Sequence, residues 1–265
     1  MTFSNFFSAF GDIVKHGFVD FYFNHTGGAI TPATTIIKVV AILMCCVIGY
    51  LLGSINFAII ISKRKNDDIR AHGSNNAGAT NMLRTYGKKA ALLTFSGDFL
   101  KAITSCLIGG LLWANNGIYL AGLFCVLGHI FPVFYKFKGG KGVATVAGVM
   151  LFGNPGVFLI LLLLFIGVFL TSKYVSLASV MCAMMYPFVL QRIELLLGGT
   201  PDIHIVFALA MSVIVIIKHV PNIQRIIKGT ESKTYLSKKK RAEYKAMQAS
   251  AQSKEKKSLH NEDDI

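Results

Sequence analysis

Long apolar stretches broken by a few polar, glycine-rich islands are the feature that most constrains this chain. The candidate stretches run roughly over 36–61, 90–113, 118–134, 142–153, 156–171, 174–191 and 203–218. A hydrocarbon core of about 30 Å needs ~20 apolar residues per helix, so a water-filled surround is excluded for most of the chain. Composition agrees, with 53% of 265 residues hydrophobic and only 15% charged. The expected fold is an all-α integral membrane protein with about seven transmembrane helices. The 142–153 stretch is short, and Asn154-Pro155-Gly156 turns it into the next. A five-span reading also fits the hydropathy.

Charge fixes an orientation. The formal net charge of +14 is carried by few places. Residues 62–89 hold Lys63, Arg64, Lys65, Arg70, Arg84, Lys88 and Lys89, whereas 114–117 hold no charge. Lys136, Lys138 and Lys141 follow the next stretch, 154–156 is neutral, and Lys173 marks the following turn. The 192–202 segment, with Arg192, Glu194 and Asp202, is not basic-rich, and the tail is rich in Lys. Cytoplasmic loops carry the excess of Lys and Arg, so the N-terminus is expected outside and the C-terminus in the cytoplasm. That needs an odd number of spans, which favours seven. Cations lying between spans suit anionic headgroups, not nucleic acid.

Three sections follow. Residues 1–30 form an N-terminal extension, in which Phe3, Phe6, Phe7, Phe10, Ile13, Val14, Phe18 and Phe21 recur at helical spacing among Asp12, Lys15 and Asp20. This predicts an amphipathic helix in the membrane interface and not a cleavable signal. Residues 31–232 are the polytopic membrane domain. Residues 233–265, with Lys238–Arg241 and Glu262–Asp264, form a polar, basic cytoplasmic tail. The five cysteines, Cys45, Cys46, Cys106, Cys125 and Cys182, lack zinc or disulfide spacing.

The islands carry the chemistry. The first joins Gly53-Ser54 to Arg70 and to His72-Gly-Ser74-Asn75-Asn-Ala-Gly-Ala-Thr-Asn81. A fixed cation beside Ser, Asn and Gly offers donors to phosphate oxygens, although Gly and Ser also serve close helix packing. The second is Lys136-Phe-Lys138-Gly139-Gly140-Lys141-Gly142-Val-Ala-Thr145. Its glycines allow backbone N–H groups to face an anion, its lysines add charge, and the following helix points its positive end there. It is not a nucleotide-binding loop of the GxxxxGK[ST] kind, because Gly142 follows Lys141. The third runs from His219 and Asn222 through Arg225 to Gly229-Thr-Glu231. An interfacial His can serve as a general base, and a helix C-terminus also favours cations. Asp98 and Lys101, i and i+3 inside a span, are either functional or a structural ion pair. A lone His129 reads as a packing or hydrogen-bonding residue and not a catalyst. The proposed orientation brings all three islands to the cytoplasmic face.

Taken together, these residues resemble the PlsY-type acyl-phosphate:glycerol-3-phosphate acyltransferases of bacterial plasma membranes, from about Leu51 to Ser232. Leu-Leu-Gly-Ser-Ile at 51–55, Asp-Ile-Arg70, Gly-Ser-Asn at 73–75 and Gly-Ala-Thr-Asn at 78–81 resemble the first family motif. Leu127-Gly-His-Ile-Phe-Pro132 with 136–145 resembles the second, and His219, Asn222, Arg225 and Gly229-Thr-Glu231 the third. Asn56, Ala58 and Pro221 depart from the usual Pro, Gly and Glu. The resemblance implies transfer of a fatty acyl group from acyl phosphate to the 1-hydroxyl of sn-glycerol 3-phosphate. The products are lysophosphatidic acid and phosphate, no cofactor or metal is needed, and the step opens phospholipid synthesis. It implies catalytic roles for Ser54, Arg70, His219 and Asn222. It places Ser74, Asn75, Asn81, Lys136, Lys138, Gly139, Gly140, Lys141, Gly142 and Ser176 in substrate binding, with Glu231 as structural anchor. An enzyme that makes acyl phosphate is an implied partner. No His is followed at its fifth residue by Asp, and His16 precedes Asp20 at the wrong spacing, which argues against an acyl-CoA enzyme of the His-x4-Asp class.

Overall fold

A computed structural model describes residues 3–25, 27–28, 30–198 and 203–234, with side chains from residue 11 onward. The tail beyond Thr234, Asp202 and the side chains of Phe3, Phe6, Phe7 and Phe10 lie outside the described residues. The described chain is helical: α1 (Phe3–His25), α2 (Pro32–Ser54), α3 (Phe57–Lys63), α4 (Ala79–Thr85), α5 (Lys88–Ile130), α6 (Val143–Gly153), α7 (Pro155–Ser172), α8 (Val175–Leu196) and α9 (His204–Ile227). Five elements are long and apolar enough to cross a membrane, namely Pro32–Lys63, Lys88–Tyr135, Pro155–Ser172, Val175–Leu196 and His204–Ile227.

Local chemistry sets the boundaries. Thr31 and Thr34 form a reciprocal capping box with Pro32 at the first helical position, which starts α2. Asn56 caps α3 through the Ile59 N–H (3.1 Å), so the chain unwinds at 55–56 inside the stretch that hydropathy reads as one helix over 36–61. Asn154 caps α7 through the Val157 N–H (3.2 Å), with Pro155 next.

The 43 residues of α5 are two arms, not one rod. Trp113 and Ala114 leave helical geometry. Residue 117 then folds back on residue 109: a methyl on Gly109 would lie 2.1 Å from the Gly117 carbonyl, and Ser105 Oγ donates to Ala121 O at 3.0 Å. The uncharged 114–117 link is therefore the tip of a helical hairpin. The same glycine logic docks α2 on the second arm. Methyls on Gly49, Gly53 and Gly128 would lie 2.5, 2.1 and 2.2 Å from the carbonyls of Ala121, Cys125 and Tyr50. Gly148 of α6 approaches Phe99 O of the first arm in the same way. The apolar core lies between the arms and α6–α9, around Cys125, Val149, Tyr186, Leu190 and Met211.

In α1, Gly17 sits at φ +74° against the hairpin tip. A methyl there would be 2.4 Å from the Ala114 nitrogen, while neighbouring Val19 is buried. The extension is thus seated on the bundle through a kink as well as being apolar on one face. The described cysteines are all free thiols.

Candidate active site

All three islands come to one end of the bundle, and a cavity of about 560 Å³ opens there. Its polar wall includes Ser74, Asn81, Arg84, Lys141, Gly142, Ser176, His219, Asn222 and Glu231, with Asp98 and His129 deeper. Its apolar wall includes Leu92 and Phe95 of α5, Phe165 and Phe169 of α7, and Val175. Leu92 and Phe95 are exposed on the bundle's flank, so this wall leads sideways toward lipid.

The first island is a knotted loop. The buried Asn81 amide donates to Ile69 O (3.2 Å), His72 O (2.8 Å) and Asn76 O (3.1 Å), and its Oδ1 accepts the Ser74 N–H (3.1 Å). Gly73, at φ +58°, leaves no room for a side chain over that Oδ1 (2.3 Å). Asn75 also adopts a positive φ and does not line the cavity. The sequence reading puts Ser54 and Arg70 in the site; the structure puts both behind it. Ser54 is buried, donates to Tyr50 O (2.8 Å) and accepts the Val133 N–H (3.4 Å). Arg70 grips Asp68 with Nε and Nη2 (2.7–3.1 Å), while its Nη1 donates to Tyr135 O (3.2 Å) and Lys138 O (3.3 Å). It clamps the second island from outside. The Arg70 guanidinium, through its hydrogen bonds, holds the Asp68 carboxylate below its usual range, and Arg70 is raised by the same pair.

The second island differs from the expected cradle. The Gly139 and Gly140 N–H groups are not aimed at an anion; they donate to Ile130 O (3.2 Å) and His129 O (3.1 Å), folding the loop back on the end of α5. Methyls there would meet His129 O at 2.0 Å and His129 Nε2 at 2.2 Å, which is why both positions are glycine. Lys136 and Lys138 are exposed and outside the cavity. The part that lines the cavity follows directly. Lys141, Gly142, Val143 and Ala144 line the cavity, and the first N–H groups of α6 lack helical partners.

The third island completes the wall. His219 and Asn222 share one face of α9. Lys141 Nζ donates to Asn222 Oδ1, and Asn222 Nδ2 donates to Glu231 Oε1 (2.7 Å). Ser176 Oγ donates to the same Oε1 (2.9 Å), and Arg225 Nε to Oε2 (2.8 Å). Burial would raise Glu231, but these three donors outweigh it and hold the carboxylate below its usual range. Burial pushes Lys141 down to about 8, against the pull of Glu231 and with help from Arg225 and Arg84. Because Val215 O (2.8 Å) can only accept, His219 Nδ1 carries a proton and Nε2 keeps its lone pair. Ser176 spends its proton on Glu231, where the sequence reading gives it to substrate.

Arg84 escaped the sequence reading as a site residue. It lines the cavity and donates to Ser232 O (2.9 Å) and Thr234 Oγ1 (3.2 Å), tying the segment after α9 to α4. Its signal was present in the basic 62–89 loop, but seven cations there look alike.

A sequence profile described as "Glycerol-3-phosphate acyltransferase" matches residues 43–229. This chain belongs to that family. It is 44% identical over 191 residues to the glycerol-3-phosphate acyltransferase of Finegoldia magna, covering 71% of this chain and 93% of the relative. Against the Aquifex aeolicus glycerol-3-phosphate acyltransferase it is 41% identical over 191 residues, covering 71% and 97%. A crystal structure of PlsY (YgiH), described as an integral membrane glycerol 3-phosphate acyltransferase in its glycerol 3-phosphate form, superposes with a TM-score of 0.67 at 39% identity, covering 73% of this chain and 96% of that one. The lysophosphatidic acid form of PlsY gives 0.65 at 38%, covering 74% and 96%. The family match thus spans α2 to α9, and α1 lies outside it.

Proposed function

We propose that this chain transfers a fatty acyl group from acyl phosphate to the 1-hydroxyl of sn-glycerol 3-phosphate, releasing lysophosphatidic acid and inorganic phosphate. The observation that carries this reading is one cavity in which Lys141 and the α6 N-terminus, suited to phosphate, face His219 Nε2, while an apolar wall opens to lipid. Family membership supports the acceptor; the apolar wall supports a donor with a long chain.

Acyl phosphate is a mixed anhydride and already activated, so the protein's work is to hold two anions together and screen their repulsion. Lys141 and the α6 N–H groups seat a phosphate. His219 Nε2 accepts a hydrogen bond from the 1-hydroxyl and aims its oxygen at the acyl carbon. That oxygen forms the new ester bond, the bond from acyl carbon to phosphate oxygen breaks, and the hydroxyl proton leaves on Nε2 or on the departing phosphate. Asn222, linked to Lys141 and Glu231, keeps His219's face of α9 in register with the lysine. Ser54, Arg70, Asn75, Asn81, Gly139 and Gly140 act by shaping the two loops, and Lys136 and Lys138 by attracting anions to the mouth. An enzyme that makes acyl phosphate supplies the donor.

The reading includes a topology of seven crossings, counting two for the α5 hairpin and one for α6. The N-terminus is outside a bacterial plasma membrane, with α1 in the outer interface, and the tail and active site are cytoplasmic. The hairpin tip at 113–114 and the charge-poor 114–117 link support it. Residues 31–232 form the enzyme domain, flanked by the extension 1–30 and the tail 233–265.

The test is phosphate release by purified protein in detergent from palmitoyl phosphate and glycerol 3-phosphate. Release that requires glycerol 3-phosphate supports the reading, and none from folded protein sinks it.

A further inference from the structure

Asp98, Lys101 and His129 are 2%, 6% and 3% exposed, come from both arms of α5, and are used by none of the steps above. Lys101 Nζ lies 2.9 Å from Asp98 Oδ1 and donates to Gly53 O (2.9 Å) and Ile55 O (2.6 Å), the carbonyls left open where α2 unwinds. It also lies 3.0 Å from His129 Nδ1. An ammonium only donates, so Nδ1 presents its lone pair and the ring proton sits on Nε2. The competing arrangement, an Nδ1–H donating to Asp98 Oδ1, would have to span 3.4 Å and would set N–H against N–H at the lysine. A doubly protonated ring would leave a surplus buried charge beside the Asp98–Lys101 pair.

His129 lines the cavity, and its Nε2 rests against Gly140, where a methyl would begin 2.2 Å away. Its N–H is therefore offered beside the Lys141–Gly142 turn. His219, on the same cavity, is polarised the opposite way, with Nδ1–H on Val215 O. One imidazole is arranged to give a hydrogen bond and the other to receive one.

We propose that His129 is an anion-binding residue whose Nε2–H donates to a phosphate oxygen seated at the start of α6, and that Lys101 and Asp98 are positioning residues that fix its tautomer. The identity of the anion rests on the acyl-transfer reading; the tautomer does not. The shared chemistry is a phosphate ester or anhydride, and either substrate could bring it.

The experiment uses the full chain, 15N-labelled at histidine, in detergent micelles, with His129→Gln and His219→Gln to assign the signals. Near pH 7, His129 should carry its proton on Nε2 and His219 on Nδ1. Glycerol 3-phosphate, palmitoyl phosphate or inorganic phosphate, added separately, should move the His129 Nε2 signal, and the one that does so at the lowest concentration names the source. In steady state, His129→Leu should raise KM for that same substrate about ten- to a hundredfold with little change in kcat. His129→Gln, which keeps an N–H near Nε2, should restore most of it. Lys101→Met should mix the His129 tautomers and raise the same KM. An Nδ1–H tautomer in the wild-type protein overturns the proposal, as does a His129 signal that none of the three ligands moves. Equal loss of kcat in the Leu and Gln variants makes His129 a packing residue and overturns it too. If folded wild-type protein releases no phosphate, the acyl-transfer reading fails while the labelled-histidine measurement still decides this one.

Discussion

Ionic clusters sit at both ends of the bundle, and they are built differently. At the cavity end, Lys101 pairs with Asp98, meets His129 Nδ1 and donates to the Gly53 and Ile55 carbonyls, and Lys141, Asn222, Ser176, Arg225 and Glu231 form a continuous chain. At the other end, Glu194 Oε1 meets His204 Nε2 at 2.6 Å, and His204 stacks on Tyr119 with centroids 5.1 Å apart. Among the described residues, the Tyr186 hydroxyl and Glu194 Oε2 there, and Asp98 Oδ1 at the cavity end, are buried without a hydrogen-bond partner. Ser176 and Glu194 are on one helix, about 27 Å apart at 1.5 Å per residue. Withdrawal of charge from solvent is common to both ends, and each adjoins a helix N-terminus, that of α6 at one and that of α9, which starts at His204, at the other; the cavity described above is lined by residues of the first. On the proposed function, position relative to the cavity, not burial, separates a cluster that works on substrate from one that holds helices together.

The largest effect that could break this contrast is at His219. His219→Ala should lower kcat by about a hundredfold or more, read as phosphate release, with the protein still folded by near-ultraviolet circular dichroism. His219→Gln separates orientation from proton transfer, because an amide can position the hydroxyl and cannot take its proton. Next comes Gly140→Leu, whose first carbon would overlap His129 Nε2 and come within 2.6 Å of Ala77 O; activity should vanish along with thermal stability.

Lys141→Met should raise KM for glycerol 3-phosphate about ten- to a hundredfold, since a charged hydrogen bond to phosphate is lost. Lysine 141 also carries the pH signature. Its ammonium, with a pKa of about 8, discharges as pH rises through 8, so glycerol 3-phosphate binding should weaken there. The sign for stability is opposite: between 8 and the ordinary lysine range the unfolded chain binds the extra proton, so folding should strengthen as binding fades. A KM that stays flat from pH 7 to 9 would remove Lys141 from the phosphate site.

The smallest effect on activity is expected at the far cluster. Glu194→Gln should lower the melting temperature by a few degrees and leave kcat and KM unchanged in detergent. A fall in kcat without loss of stability would erase the contrast between the two ends.

Much of this was legible in the residues. The all-helical class with several apolar spans followed from apolar length, and the islands meet at one end, as the placement of Lys in the loops led one to expect. What hydropathy missed was where helices stop: Asn56 breaks one apolar stretch by capping the next turn, and α8 continues through Glu194 to Leu196, so a carboxylate read as loop charge is a half-buried partner of His204. At the site, residue type could not tell a ligand from a clamp. Arg70 and Arg84 are both cations in one basic loop, yet Arg70 is consumed by Asp68 and two carbonyls while Arg84 lines the cavity. The glycines of 139–140 were read as freeing N–H groups, when tight approach to His129 is what they permit. Such distinctions depend on partners from distant segments, and no local pattern encodes them.

The flank formed by Leu92, Phe95, Phe165 and Phe169 has a kinetic meaning of its own. A chain-bearing amphiphile that enters there arrives by diffusion within the bilayer, so its rate of capture follows its mole fraction among the surrounding lipids. Diluting such a molecule with inert detergent should slow the reaction at constant bulk concentration, while the same added detergent leaves the capture of the water-borne reactant unchanged.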